Sequence, residues 1–171
     1  YFPSVWIKRA KNRLAALTLT SCALSMGAQT IEIPFTGDYA DPTIVRVGDE
    51  FFMTHTSYGY YPGLLIWRSK DLKSWTPVTR VLNENVGTVW APDITHVDDT
   101  FYIYFPTDRG SNYVMKATDI AGPWNGPVKI DVDGIDPGHI VDEQGKRYLY
   151  VNGGRYVPLT MDGMTAVDRE K

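Results

Sequence analysis

Three stretches of the chain share one order of apolar and polar positions. In the first, Asp41-Pro42-Thr43-Ile44-Val45 leads through Gly48-Asp49 to Phe51-Phe52-Met53-Thr54. In the second, Ala91-Pro92-Asp93-Ile94 leads through Asp98-Asp99 to Phe101-Tyr102-Ile103-Tyr104. In the third, Asp136-Pro137-Gly138-His139-Ile140 leads through Gln144-Gly145 to Arg147-Tyr148-Leu149-Tyr150. Each predicts a short strand, a tight turn and a second strand rich in aromatics, because turn-forming residues separate runs of β-formers. The first two stretches also continue alike. Leu65-Ile66-Trp67-Arg68-Ser69 runs into Lys70-Asp71-Leu72 and then Trp75, and Tyr113-Val114-Met115-Lys116-Ala117 into Thr118-Asp119-Ile120 and then Trp124. These predict a third strand, a turn marked by Asp, and a Trp that belongs to the core between repeats.

The prolines recur at 42, 92 and 137, and the turn aspartates Asp71 and Asp119 stand 48 apart. No unit carries the 3.6-residue period that a helical repeat needs. Strand-rich repeats of this length match the blade of a β-propeller. The predicted fold class is therefore all-β, a partial propeller of about three blades at 36–85, 86–131 and 132–171. In such a fold the first strand of each blade lines the central channel, which brings Asp41, Ala91 and Asp136 toward one axis. Residues 36–171 hold about 2.8 repeats, against roughly four to eight in a closed propeller. The expectation is an N-terminal portion of a longer protein, with C-terminal blades missing.

The first 35 residues read differently. Lys8, Arg9, Lys11 and Arg13 precede an apolar stretch from Leu14 to Met26, followed by Gly27 and Ala28. This order predicts a secretory signal peptide and a secreted or periplasmic protein. The apolar stretch is too short to span a bilayer as a helix. Cys22, in Leu19-Thr20-Ser21-Cys22, resembles a lipoprotein box, but apolar residues continue beyond it, which favours cleavage near Ala28. Four basic residues and one acidic residue leave with the leader, so the net charge moves from −3 to −6. An acidic remainder without interleaved basic and aromatic residues excludes a nucleic-acid partner. A single cysteine excludes a disulfide framework and a Cys-rich zinc site. His55, His96 and His139 share no metal-ligand spacing. No cofactor is expected.

Asp-Pro at a strand start has a plain reading as loop punctuation. The second repeat has Ala91 before its proline, so the turn does not of itself demand a carboxylate there. Two carboxylates near one axis, among aromatics, are a pair that general acid/base chemistry requires.

Four motifs then appear in order: Gly37-Asp38-Tyr39-Ala40-Asp41-Pro42-Thr43-Ile44, Ser69-Lys70-Asp71-Leu72-Lys73-Ser74-Trp75, Val89-Trp90-Ala91-Pro92-Asp93-Ile94 and Gly134-Ile135-Asp136-Pro137-Gly138. Together they resemble glycoside hydrolase family 43, five-bladed propeller enzymes that cut arabinose- and xylose-containing polysaccharides with inversion. The resemblance covers about residues 36–160. It implies that Asp41 is the general base and Asp136 the carboxylate that tunes the pKa of the general acid. It implies sugar contacts from Trp90 and from Tyr58 in the loop before the third strand, and a place for Asp93 either in sugar binding or as a support behind the site or a strand cap. The general acid, a Glu at the start of the next blade in the family, is absent from this chain, so the chain by itself is expected to be inactive. Some relatives carry a calcium ion in the channel, which this sequence does not support. The implied activity is exo-acting, β-xylosidase or α-L-arabinofuranosidase, on an oligo- or polysaccharide. An endo-arabinanase and a non-catalytic carbohydrate-binding propeller remain the alternatives.

Overall fold

The computed structural model describes residues 36–167, all of them within the unit Glu32–Lys171. The expected leader, residues 1–35 with Cys22, lies outside the described residues. Hairpin chemistry governs each repeat. β1 (Thr43–Val47) turns at Gly48-Asp49 into β2 (Glu50–Thr54), pairing Val47 with Glu50 and Thr43 with Thr54. β3 (Gly63–Ser69) and β4 (Thr76–Leu82) complete a four-stranded antiparallel sheet. The second sheet repeats this order with β5 (Asp93–Val97), β6 (Thr100–Pro106), β7 (Asn112–Ala117) and β8 (Asn125–Ile130). Its first turn puts Asp98 and Asp99 at φ 50° and 55°, the pair of positive angles that a type I′ hairpin turn uses. The third sheet has three strands among the described residues: β9 (Gly138–Val141), β10 (Arg147–Val151) and β11 (Arg155–Leu159), with a 3-10 turn at Asn152–Gly154. The fold is all-β, in three blade-like sheets.

Equivalent places carry equivalent irregularities. A register shift falls between Ile66 and Trp67 in β3 and between Val114 and Lys116 in β7. The turn that follows is built on an aspartate in both sheets. Asp71 Oδ1 accepts from the N–H groups of Lys73 and Ser74, and Asp119 Oδ1 accepts from that of Ala121. The tryptophan after each turn clasps it: Trp75 Nε1 donates to Leu72 O and Trp124 Nε1 to Ile120 O. Trp124 also packs on the core between sheets one and two. Trp75 does not, so one of the recurring tryptophans expected in the core is a turn clasp instead.

Two cores hold the three sheets together, and β6 serves both. Alternate side chains of a strand point to opposite faces. Phe101, Ile103 and Phe105 join Phe52, Leu64, Ile66 and Ile94 in the seam between sheets one and two. Tyr102 and Tyr104 join Val114, Leu149, Val151 and Leu159 in the seam between sheets two and three. A strand covered on both faces reads as an unbroken apolar run, and Phe101 through Phe105 is one. The first strands β1, β5 and β9 run side by side at the inner ends of the sheets.

Candidate active site

The hairpin turns determine which residues face each other beyond the strand ends. The β1–β2 register, continued two residues outward, sets Asp41 across from Thr56. The contact is made: Thr56 N–H donates to Ala40 O at 3.0 Å, and its buried hydroxyl donates to Asp41 Oδ2 at 2.6 Å. In the third sheet the same extension sets Asp136 across from Asn152. Asn152 N–H donates to Ile135 O at 2.8 Å, and Asn152 Oδ1 accepts from Ile135 N–H at 3.2 Å. Fully buried Asn112 grips the same approach, donating to Val132 O and Gly134 O. In the second sheet the pair at this place is Ala91 and Pro106, whose side chains carry no polar group.

Asp41 and Asp136 share an unusual backbone. Their φ angles are 53° and 55°, whereas Ala91 keeps a negative φ. The left-handed region costs an L-residue roughly 1–2 kcal/mol, least for Asp and Asn, and the proline that follows disfavours helical conformations further. Ala91 therefore stands on a different turn, and its missing carboxylate does not measure what the turns at 41 and 136 prefer. Asp is among the residues their geometry tolerates best. What sets them apart is that two equivalent, exposed positions hold the same strained conformation. Strain of this kind persists only where the surroundings over-determine it, and it clusters at functional sites.

Asp93 sits between them, on β5. Its Oδ1 lies 3.4 Å from the Thr43 hydroxyl, which donates to it, and its Oδ2 accepts the His139 N–H at 2.9 Å. Both oxygens thus meet protein donors. Burial pushes its carboxyl above the usual range, and these two hydrogen bonds oppose that rise.

Tyr58 and Trp90 are brought together by the backbone. Tyr58 and Val89 exchange N–H···O bonds of 3.0 Å, and the Trp90 N–H donates to Pro106 O. The Trp90 side chain is partly exposed at 36%. A cleft of about 740 Å³ lies on the flank of the first sheet, lined by Tyr39, Thr56, Tyr58, Tyr60, Tyr61 and Trp67 among others. Its floor reaches to Pro77 and Arg80 on β4, away from the inner strands. Of the expected site residues only Tyr58 lines it. Asp41 stands next to it through Thr56, while Trp90, Asp93 and Asp136 belong to the inner ends of the sheets. Among the described residues no cluster of three or more His, Cys, Asp or Glu side chains could hold a metal ion, and no helix is long and apolar enough to cross a membrane.

Thr56, Asn112 and Asn152 had not been singled out from the sequence. Thr56 was within reach of it, since a two-residue turn after Val47 fixes the opposite residue by counting. Asn112 was not, because its partners lie 20 and 22 residues away.

Three antiparallel sheets in repeating order, with their first strands side by side, are the architecture of propeller blades. Residues 31–169 match the family described as glycosyl hydrolases family 43, and the chain belongs to that family. It is 35% identical over 148 residues to a xylan 1,3-beta-xylosidase of a Vibrio species, covering 74% of this chain and 28% of that protein. It is 30% identical to a non-reducing end alpha-L-arabinofuranosidase of Bacteroides ovatus, covering 89% of this chain and 32% of that protein. Among solved structures, a GH43 protein from Bacillus licheniformis superimposes with a TM-score of 0.72 at 30% identity, over 80% of this chain and 31% of its own. The chain thus spans about a quarter to a third of the length of the curated relatives it matches.

Proposed function

We propose that this chain forms part of an inverting, exo-acting glycoside hydrolase that releases xylose or arabinose from plant-wall polysaccharides or their oligosaccharides. The observation that carries the proposal is the matched pair Asp41 and Asp136, set on one disfavoured backbone conformation at equivalent ends of separate sheets. In this reading Asp41 is the general base. The Thr56 hydroxyl holds one of its oxygens, leaving the other to take a proton from the attacking water. Asp136 is the neighbouring anion that raises the pKa of the general acid, keeping it protonated until it is needed. That acid is a glutamate in the family, and this reading assigns the role to no glutamate among residues 36–171. Inversion requires the base and the acid to stand roughly 6.5–9.5 Å apart, so that a water fits between the base and the sugar.

The sugar itself is held by aromatic faces, which suit the apolar C–H surface of a pentose. Trp90 and Tyr58 supply them, and their backbones are already joined. Xylose and arabinose are named on the two relatives above, whose descriptions carry those activities. The leader segment, with its basic start and apolar middle, routes the protein to the compartment where such polymers are found.

The test is kinetic and uses the full-length gene product with nitrophenyl β-xyloside and nitrophenyl α-arabinofuranoside. Asp41→Asn is expected to lower kcat by roughly 10²–10⁴-fold while product affinity stays within a few fold. A variant that keeps most of its kcat removes Asp41 from the role of base. Residues 36–171 alone are expected to show no turnover.

A further inference from the structure

We propose that Asp93 is a positioning residue, a clamp whose two oxygens fix the spacing between the strand that carries Asp41 and the strand that carries Asp136. The inference rests on the catalytic reading of those two carboxylates and assigns Asp93 a part other than sugar binding.

The three repeats place Thr43, Asp93 and Gly138 at the same point, two residues beyond Asp41, Ala91 and Asp136. At that point only the middle repeat has a carboxylate. Its Oδ1 takes the Thr43 hydroxyl on β1 at 3.4 Å, and its Oδ2 takes the His139 N–H on β9 at 2.9 Å. One side chain on β5 thereby touches the first strands of both neighbouring sheets. Thr43 also lies 3.4 Å from the Ile94 N–H, which donates to its hydroxyl oxygen and ties β1 to β5 a second time.

The link from clamp to reacting group is short on both sides and is stiffest on the Asp41 side. Thr43 is separated from Asp41 by Pro42 alone, and His139 from Asp136 by Pro137 and Gly138. Proline fixes φ, so a shift at Thr43 is passed on rather than absorbed. Ala91, on the strand of the clamp itself, carries no reactive group. The middle repeat therefore supplies the brace and the outer two supply the chemistry.

A charge-bearing role and a bracing role make opposite demands on asparagine. An Asn at this place can accept the His139 N–H with its oxygen and donate to the Thr43 hydroxyl with its amide. It keeps one bond, reverses the direction of the other so that the Thr43 hydroxyl proton turns elsewhere, and loses the charge. Alanine loses both bonds.

In the full-length gene product, Asp93→Ala is expected to lower kcat on nitrophenyl pentoside by roughly 10–100-fold, the scale of a 1 Å misplacement, with KM within about threefold. Asp93→Asn is expected to hold kcat within about threefold of wild type. Should Asp93→Ala not fold, Thr43→Val reads one arm of the clamp, with a smaller fall in kcat at unchanged KM. Wild-type kcat in Asp93→Ala overturns the proposal, as does wild-type kcat in Thr43→Val where that variant stands in. Asn behaving as badly as Ala also overturns it, since the charge itself would then be in use. An arm without turnover keeps this separate from the catalytic reading. Crystal structures of wild type and of Asp93→Ala or Thr43→Val are expected to differ in the distance between the Asp41 and Asp136 carboxyls, and an unchanged distance sinks the clamp even if the protein proves to have no glycosidase activity.

Discussion

β6 feeds two seams with opposite characters. On one face Phe101, Ile103 and Phe105 meet Phe52, Leu64, Ile66 and Met115, and every one of these is a hydrocarbon or thioether surface. On the other face Tyr102 and Tyr104 meet a histidine and an arginine. The His139 ring stacks on Tyr104 at 5.1 Å, and the Arg147 guanidinium lies 4.9 Å from the Tyr102 ring centre. Arg147 is only 4% exposed and reaches out to Asp98 at 3.2 Å. Among the described residues His139 Nε2 and Arg147 Nη1 are buried without a hydrogen-bond partner. The first seam is mostly apolar surface, crossed at its inner edge by the Thr43–Asp93 hydrogen bond. The second is built on stacking and on polar groups whose charge state matters, so pH bears on more of its contacts. That difference bears on the site, because Asp93 joins Thr43 across the first seam and His139 across the second.

The comparison can be broken most forcefully in the dry seam. Ile103 is fully buried there, and Ile103→Ala is expected to cost about 2–5 kcal/mol through lost transfer energy and a residual cavity. Urea unfolding at pH 7 and at pH 5 should give the same loss, because the buried side chains grouped with Ile103 in this core are apolar. A loss that grows on acidification would mean that the two seams are not separate. A smaller effect is expected from Tyr104→Phe in the wet seam. The Tyr104 hydroxyl donates to Gly163 O at 2.9 Å in a fully buried setting, and leaving that carbonyl unpaired should cost about 1–2 kcal/mol. Gly163 is needed for this contact: its φ is 71°, and a Cβ there would stand 2.8 Å from the same hydroxyl.

The smallest effect is the most diagnostic. Burial, with Arg147's charge in second place, holds the His139 pKa down to about 4, against an ordinary value of about 6.5. Between those two values the unfolded chain binds a proton that the folded chain refuses, so stability falls as pH drops through this window. His139→Phe should flatten the slope of melting temperature against pH between 6.5 and 4. The ring is not wholly enclosed, and solvent screening keeps the effect to a few degrees. Asp93 works with the opposite sign: burial raises its carboxyl, so the folded state holds a proton that the unfolded state has released. Because His139→Phe leaves the backbone bond to Asp93 in place, the difference between variant and wild type isolates the histidine. An unchanged slope would show that His139 is already charged, or already solvated, in the folded protein.

Much of this architecture was legible in the residues. The Gly48-Asp49 and Asp98-Asp99 turns set the hairpins, and the spacing of Pro42, Pro92 and Pro137 set the repeat. The aromatic run from Phe101 to Tyr104 marked a strand, and the structure shows that it is covered on both faces. Asp41 and Asp136 were singled out by comparing repeats, although the different backbone at Ala91 weakens the contrast that the second repeat offered. The left-handed backbone at those two positions was not legible, and the residues that bond these segments, Thr56 and Asn152, come from the opposite strands. Nor was the occupation of both Asp93 oxygens, because Thr43 and His139 lie 50 and 46 residues away and meet Asp93 only when separate sheets dock. Local chemistry announced the strands and turns, while contacts between sheets decided how the acidic side chains are presented.

The double duty of β6 also governs how this chain can go wrong. A slip of one residue in its pairing would turn each side chain over. The hydroxyls of Tyr102 and Tyr104 would enter a greasy interface without acceptors, and phenylalanine would replace tyrosine against the guanidinium. No near-miss alignment is tolerable on either flank, so the middle sheet acts as the ruler from which its neighbours take their alignment.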